Sequence, residues 1–200
     1  SINWMAIQKK EYDISRMLKS LAQILRYSIN KSNEIAALSE ELEWMKQYMF
    51  LQQQRFNHAF EYKIEVDEKL YTLKIHKLLL QPLIENAILH GFEETTQGGM
   101  LIIRIFYADA GKLNIRIEDN GKGIEKEKLL ELNEILKAPA MEEDTFTEGI
   151  GLRNVLERAR IYYGPNAGIE LSSELGQGTR VDFTIPFMLY AEDTDENSDR

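Results

Sequence analysis

The chain has 200 residues, enough for one ordinary domain or one domain with a smaller appendage. It is 44% hydrophobic and 28% charged, which excludes a disordered chain, and its net charge of -9 argues against nucleic acid as a partner. The absence of cysteine excludes disulfides, thiolate-held zinc and a thiol nucleophile; three histidines leave little for a metal cluster, and no apolar run approaches the ~20 residues of a membrane span.

The chain opens at Ser1, with no signal-peptide pattern, directly into helix-like sequence, so it reads as an excised fragment. The stretch to about Phe56 reads as two helices. Ile7, Ile14, Met17, Leu18, Leu21, Ile24 and Leu25 recur at helical spacing, and a polar turn at Asn30 to Asn33 follows. The second helix carries Leu38, Leu42, Met45, Met49 and Gln52 along one stripe, with Glu40, Glu41 and Glu43 in its early turns, where negative charge suits the dipole. Two such helices cannot bury their stripes on each other alone. A partner hairpin, hence a homodimer through Leu38, Leu42, Met45 and Met49, is one reading; packing on the chain's own downstream domain is the other.

From Phe60 the pattern changes. Phe60, Tyr62, Ile64 and Val66 alternate with charged residues, as in a half-buried strand. Lys74 to Leu89 reads as a helix that Pro82 kinks or breaks. Met100 to Tyr107 and Lys112 to Glu118 are strands joined by a turn at Asp109 to Gly111. Ile124 to Lys137 is a helix, Ala138 to Glu148 an acidic loop, and Ile150 to Tyr163 another helix. Ile169 to Ser173 and Arg180 to Ile185 close the sheet, and an acidic tail follows Phe187. The expectation is an α+β fold, a two-layer sandwich of mixed sheet and helices preceded by a helical hairpin. The hairpin spans 1–58, the sandwich 59–187 and the tail 188–200.

Three motifs carry chemistry. In QPLIENAILHG, Gln81 to Gly91, Asn86 and His90 are four apart on one helix face. An asparagine oxygen suits Mg²⁺ beside a phosphate, and His90 one turn on could reach a phosphate oxygen. Glu85 points about 100° away and could address a second reactant. The bland alternative is ordinary helix surface. In EDNGKGI, Glu118 to Ile124, Asp119 ends a strand, where a buried carboxylate can accept from an exocyclic amine such as that of adenine. Gly121 and Gly123 let backbone approach a flat ring, although Asn-Gly is also a common hairpin turn. In EGIGLRNV, Glu148 to Val155, a glycine pair opens a helix whose first N–H groups can hold an anion. Arg153 in the first turn opposes the dipole and hints at an anionic partner, although Glu148 could serve.

The three motifs in this order, with GQGT at Gly176 to Thr179 before the last strand, resemble the ATP-binding fold shared by histidine kinases, Hsp90, type II topoisomerases and mismatch-repair ATPases, the Bergerat-type fold of the GHKL superfamily. LEWMKQYMFLQQQRF followed by QPLIENAILHG looks like the LytS-like sensor histidine kinases of two-component systems. The resemblance implies ATP and Mg²⁺ as ligands, with Asn86 holding the metal, Glu85 assisting phosphoryl transfer and His90 near the phosphates. It implies Asp119 on the adenine amine and Gly121 and Gly123 along the base. Gly149 and Gly151 would meet the phosphates at the end of a lid, roughly Lys126 to Glu148, and Thr179 would support Asp119.

It further implies a homodimer, a response regulator as phosphoryl acceptor, no nucleic acid, and a bacterial inner membrane reached only through a missing N-terminal sensor region. The part in hand would then be the cytoplasmic catalytic portion. The family's phosphoacceptor histidine lies in an Asn-Pro-His-Phe motif. None of His58, His76 and His90 has that context, so this chain should bind ATP without phosphorylating itself in the usual way. His58 reads as a solvated loop residue and His76 as a capping or surface residue. A non-catalytic regulatory nucleotide module, or an ATPase clamp of the same superfamily, are the alternatives.

Overall fold

Alternating apolar and polar residues build the sheet at the centre of the molecule. The computed structural model describes residues 2–29, 34–108, 111–138 and 150–186. Five strands, β2 (Phe60–Val66), β4 (Gly99–Ala108), β5 (Lys112–Asp119), β6 (Gly168–Glu174) and β7 (Gly178–Pro186), pair in the order β2-β4-β5-β7-β6. β2 runs parallel to β4 and the other neighbours are antiparallel. Leu101, Ile103, Ile105, Ile115, Ile117, Val181 and Phe183 share one buried core.

The opposite face carries a charge ladder. Arg104 pairs with Glu65 at 2.6 Å and with Glu118, and Arg116 pairs with Asp182 at 2.7 Å. Register places Arg104 opposite Arg116, so each needs its acid on the neighbouring strand. These pairs are part-exposed, and each is worth at most about 1 kcal/mol. They keep the outer face wet while the inner face packs on helices.

The helices of that layer are α3 (Leu38–Arg55), α4 (Gln81–Asn86), α5 (Lys126–Lys137) and α6 (Ile150–Tyr163). Leu83, Ile84, Leu136, Val155, Leu156 and Ala159 join the sheet residues in the core. The two-layer α/β sandwich and the helical hairpin before it are therefore present. No helix among the described residues is long and apolar enough to cross a membrane.

The hairpin departs from expectation in two ways. Its first arm is two helices, α1 (Ile2–Gln8) and α2 (Tyr12–Ile29). Lys10 stands at φ 61 between them, and the N–H groups of Lys10 and Glu11 return to the carbonyls of Ile7 and Ala6 at 3.0 and 2.9 Å. That is a Schellman-type stop made without glycine.

The second departure corrects the dimer seam. Leu38, Leu42, Met45 and Met49 are buried in the same core as the sheet. The reason is a short strand, β1 (Ile35–Ala37), which pairs antiparallel with β3 (Lys74–His76). Leu38 N–H donates to the Leu73 carbonyl at 2.7 Å and Ser39 N–H to that of Tyr71 at 3.0 Å. The start of α3 is thereby stitched to the downstream domain, which covers its stripe. The apolar face left open is instead on α2, where Ile14, Met17, Leu21 and Leu25 are exposed.

The single helix expected from Lys74 to Leu89 is also corrected. Its first residues are β3, and a 3₁₀ turn, Glu68–Leu70, precedes them. Pro82 breaks nothing, because it sits in the first turn of α4, where its missing N–H has no intrahelical partner to lose. His76 is thus a strand residue, stacked on Tyr162 with centroids 3.7 Å apart. The α5 helix is docked on β6 through Asn133, whose amide donates to the Leu171 carbonyl at 3.0 Å. The first part of the expected lid, Lys126 to Lys137, is thus a helix packed on β6. Its remainder at 139–149, the turn at 30–33, most of the 109–111 turn and the tail from 187 lie outside the described residues.

Candidate nucleotide site

Four short segments converge at one end of the sheet: α4 with its continuation, the end of β5, the first turn of α6 and the turn into β7. Burial of Leu83, Ile84, Ala87 and Ile88 fixes the rotation of α4 and leaves Glu85 and Asn86 half-buried at the edges of that face. Adjacent helical residues diverge by about 100°. Asn86 lies beside the first turn of α6: a Cβ built on Gly151 would meet its Nδ2 and Oδ1 at 3.5 and 3.7 Å. Glu85 accepts from Gln81 Nε2 at 2.7 Å, and its charge lies close enough to Tyr48 of α3, in the hairpin, to help raise that phenol. After Asn86 the helix widens into a π-turn, Ala87–Gly91, which carries His90 exposed on its outside. Such widenings occur often at functional positions.

Asp119 ends β5. Its Oδ1 accepts from Gly121 N–H at 2.9 Å and from Thr179 N–H at 3.3 Å. No donor among the described residues is recorded on Oδ2. Burial pushes this carboxyl above the usual range, and the two backbone donors oppose that. Gly91 makes room for it, since a Cβ there would fall 2.9 Å from Oδ1. Thr179 therefore supports Asp119 through its main chain. Its own hydroxyl lies 3.0 Å from Ser173 Oγ, which also takes the N–H of Ile124 at 2.9 Å and donates to the Gly178 carbonyl at 2.7 Å.

The two glycines of DNGKG have a structural duty. A Cβ on Gly121 would stand 2.1 Å from the Gly91 carbonyl oxygen. Gly123 adopts φ 68, and its Cβ would stand 2.0 Å from the Glu174 oxygen. Backbone packing against the π-turn and the β6–β7 turn accounts for glycine at both. Arg153 is a correction. It is buried and donates to the Ile135 carbonyl at 3.0 Å, near the C-terminal end of α5, where a positive charge is favourable. It therefore gives no hint of an anionic partner. Gly149 lies outside the described residues.

A carboxylate with one free oxygen, a helix start and an amide between them form the donor set of a nucleotide site. Residues 75–189 match the family model described as histidine kinase-, DNA gyrase B-, and HSP90-like ATPase. The chain belongs to this ATPase family. Residues 1–60 match the histidine kinase model.

Among curated proteins, the chain is 35% identical over 186 residues to the sensor histidine kinase YesM of Bacillus subtilis, covering 93% of this chain and 30% of that protein. It is 33% identical over 170 residues to the sensor protein kinase HptS of Staphylococcus aureus, covering 85% and 32%. The chain thus spans about a third of the length of these relatives. Two solved structures share the fold. The histidine kinase domain of the Erythrobacter litoralis EL346 blue-light activated kinase superposes with TM-score 0.52 at 16% identity, covering 88% of this chain and 75% of that one. The catalytic domain of histidine kinase ThkA superposes with TM-score 0.53 at 19% identity, covering 76% and 94%.

As a domain of this ATPase family the chain has an ATP-binding fold, and the residues present fit the nucleotide. Oδ2 of Asp119 is an acceptor suited to an exocyclic amine, and the Asn86 amide is a hard oxygen donor suited to Mg²⁺. Two residues near the site carry no sequence signal of their role: Ser173 and the buried Glu41. Each acts through contacts with residues distant in the chain.

Proposed function

We propose that this chain is the catalytic portion of a two-component sensor histidine kinase, binding Mg-ATP and passing its γ-phosphoryl group to a histidine for relay to a response-regulator aspartate. The divergence of Glu85 and Asn86 carries the reading. Asn86 faces the start of α6, where the orphan N–H groups of Ile150 and Gly151, with Gly149 before them in the sequence, would receive phosphates. Glu85 faces the hairpin, the side from which an acceptor imidazole would come. Asp119 selects the adenine amine. Asn86 would hold Mg²⁺, which would supply positive charge against the phosphates. The Glu85 carboxylate orients the imidazole and takes its N–H proton as the nitrogen bonds to the γ-phosphorus, whose bond to the β–γ bridging oxygen breaks so that ADP leaves.

The test is transfer of labelled γ-phosphate to a family acceptor hairpin supplied in trans. Transfer is expected from the unmodified chain, and Glu85→Gln is expected to slow it about a hundredfold with ATP affinity intact. Binding without transfer would point to a degenerate regulatory module, and steady hydrolysis without acceptor would point to an ATPase clamp.

The homodimer of this reading uses α2. Ile14, Met17, Leu21 and Leu25 are spaced three to four apart and are 49, 36, 45 and 48% exposed. Such a stripe suits a helix seam between two copies. Leu21→Glu is expected to shift the chain from dimer to monomer in light scattering without lowering its thermal midpoint. A monomeric parent would remove this part of the proposal.

A further inference from the structure

We propose that Ser173 of β6 is a positioning residue for adenine recognition: its oxygen takes the hydroxyl proton of Thr179, so that Thr179, like Asp119, turns only lone pairs toward the base. The inference rests on the reading of Asp119 as the acceptor of the adenine amine.

Register carries the first step. Thr179 stands opposite Asp119 of β5 on one side and opposite Ser173 of β6 on the other. Directly paired residues share a face of the sheet, and side chains two apart along a strand share it too. Two residues further in, that face carries Ile117, Val181 and Leu171, all buried in the core. Asp119, Thr179 and Ser173 are therefore the polar end of the inner row, on the side where the helices lie.

Proton counting carries the second step. A serine hydroxyl has one proton and two lone pairs. A carbonyl cannot donate, so the Ser173 proton goes to the Gly178 carbonyl at 2.7 Å. A backbone N–H can only donate, so one lone pair receives Ile124 at 2.9 Å. The 3.0 Å contact with Thr179 Oγ1 is left to the second lone pair, and Thr179 is its donor. Both backbone partners are fixed in turn. Gly178 adopts φ 106, and a Cβ there would stand 1.9 Å from the Asp119 carbonyl oxygen, which holds this peptide against the end of β5. Ile124 follows Gly123, which packs as closely on Glu174. The Thr179 proton is thus committed to Ser173, and its oxygen keeps lone pairs for the site. A row that offers only acceptors suits a base edge with an amine. It opposes a base edge with a carbonyl, where lone pair meets lone pair.

The experiment titrates the chain with ADP and with IDP in the presence of Mg²⁺; IDP carries a 6-carbonyl where ADP carries the 6-amine. The readout is the ratio of the two dissociation constants, because a merely structural loosening weakens both alike. The unmodified chain is expected to favour ADP about a hundredfold. Ser173→Ala frees the Thr179 proton to serve a carbonyl, and is expected to lower the ratio about tenfold, mainly through tighter IDP binding. Ser173→Cys, whose thiol fills the same space but accepts weakly, should lower it in the same direction, and serves if the alanine variant does not fold. Thr179→Val should lower the ratio as well. Adding Ser173→Ala to it should change the ratio no further, because a residue that acts through another shows no independent loss. Equal weakening of ADP and IDP in the Ser173 variants overturns the inference and leaves Ser173 as a fastening of the turn into β7. A further fall in the Thr179→Val background also overturns it. An unmodified chain that binds ADP and IDP alike, or neither, overturns the underlying reading of Asp119.

Discussion

In titrations with a non-hydrolysable ATP analogue and Mg²⁺, Asp119→Asn is expected to lose affinity on the order of a hundredfold while keeping its fold. The substitution is nearly isosteric. The asparagine oxygen can still accept from Gly121 N–H and Thr179 N–H, the two bonds that lock the end of β5 to the turn into β7. The change falls on the other atom. Where Oδ2 now offers lone pairs, the amide offers two N–H donors, and an exocyclic amine approaching it meets donor against donor. Losing a bond to a charged acceptor costs about 1.5–3 kcal/mol, and leaving both donors unpaired in a half-buried place adds to it. About 2.7 kcal/mol is a hundredfold in Kd. Unchanged affinity with an unchanged melting curve would remove Asp119 from the adenine site. A variant that lost both would show only that the carboxylate holds the turn.

The strands were legible because their period is unambiguous. Leu101, Ile103 and Ile105 alternate with Ile102, Arg104 and Phe106, and the inward set is the buried one. That Asp119 ends a strand was legible from the same alternation, while its role toward adenine was implied only by the resemblance. The dimer seam was misplaced for a physical reason. Helical periodicity says that a stripe is buried, not what covers it, and the cover on Leu38 to Met49 is recruited by a three-residue strand too short to show any period. The break at Lys10 was hidden because the left-handed position is held by lysine, with no glycine or proline to mark it. Arg153 misled because the sequence shows which helix a residue starts, not which other helix ends beside it.

The same stitching makes α3 and the nucleotide site one packed unit, and its polar centre is Glu41. Of the three glutamates at 40, 41 and 43, only Glu41 is fully buried. Glu40 does the work expected at a helix start, accepting the N–H of Ala37 at 2.9 Å. Glu41 reaches inward. Its Oε2 accepts from the Tyr27 hydroxyl of α2 at 2.6 Å and from Leu78 N–H at 3.2 Å. Leu78 stands at φ 57, a left-handed conformation that costs about 1–2 kcal/mol for a non-glycine residue. The bond from its N–H helps to hold it there. The turn so held leads directly into α4, and through α4 to Glu85 and Asn86.

Glu41→Ala is therefore expected to destabilise the chain by about 3 kcal/mol at pH 5, measured by urea unfolding, because it leaves the Tyr27 hydroxyl and the Leu78 N–H buried without an acceptor. The pH dependence separates this from a simple packing loss. Burial raises the Glu41 pKa above its model-peptide value of 4.5, outweighing the bonds from Tyr27 and Leu78 and the nearby Lys77 charge, all of which pull it down. The folded state then binds the proton more tightly than the unfolded chain does. Its contribution is complete below the unfolded value and is lost as pH rises through the folded one. The gap between wild type and Glu41→Ala should thus be widest in acid and narrow as pH rises above about 4.5. A gap that widened with pH would mean that the hydrogen bonds outweigh burial and that Glu41 sits in the fold as a stabilised anion. A gap that stayed constant would place its role in packing alone.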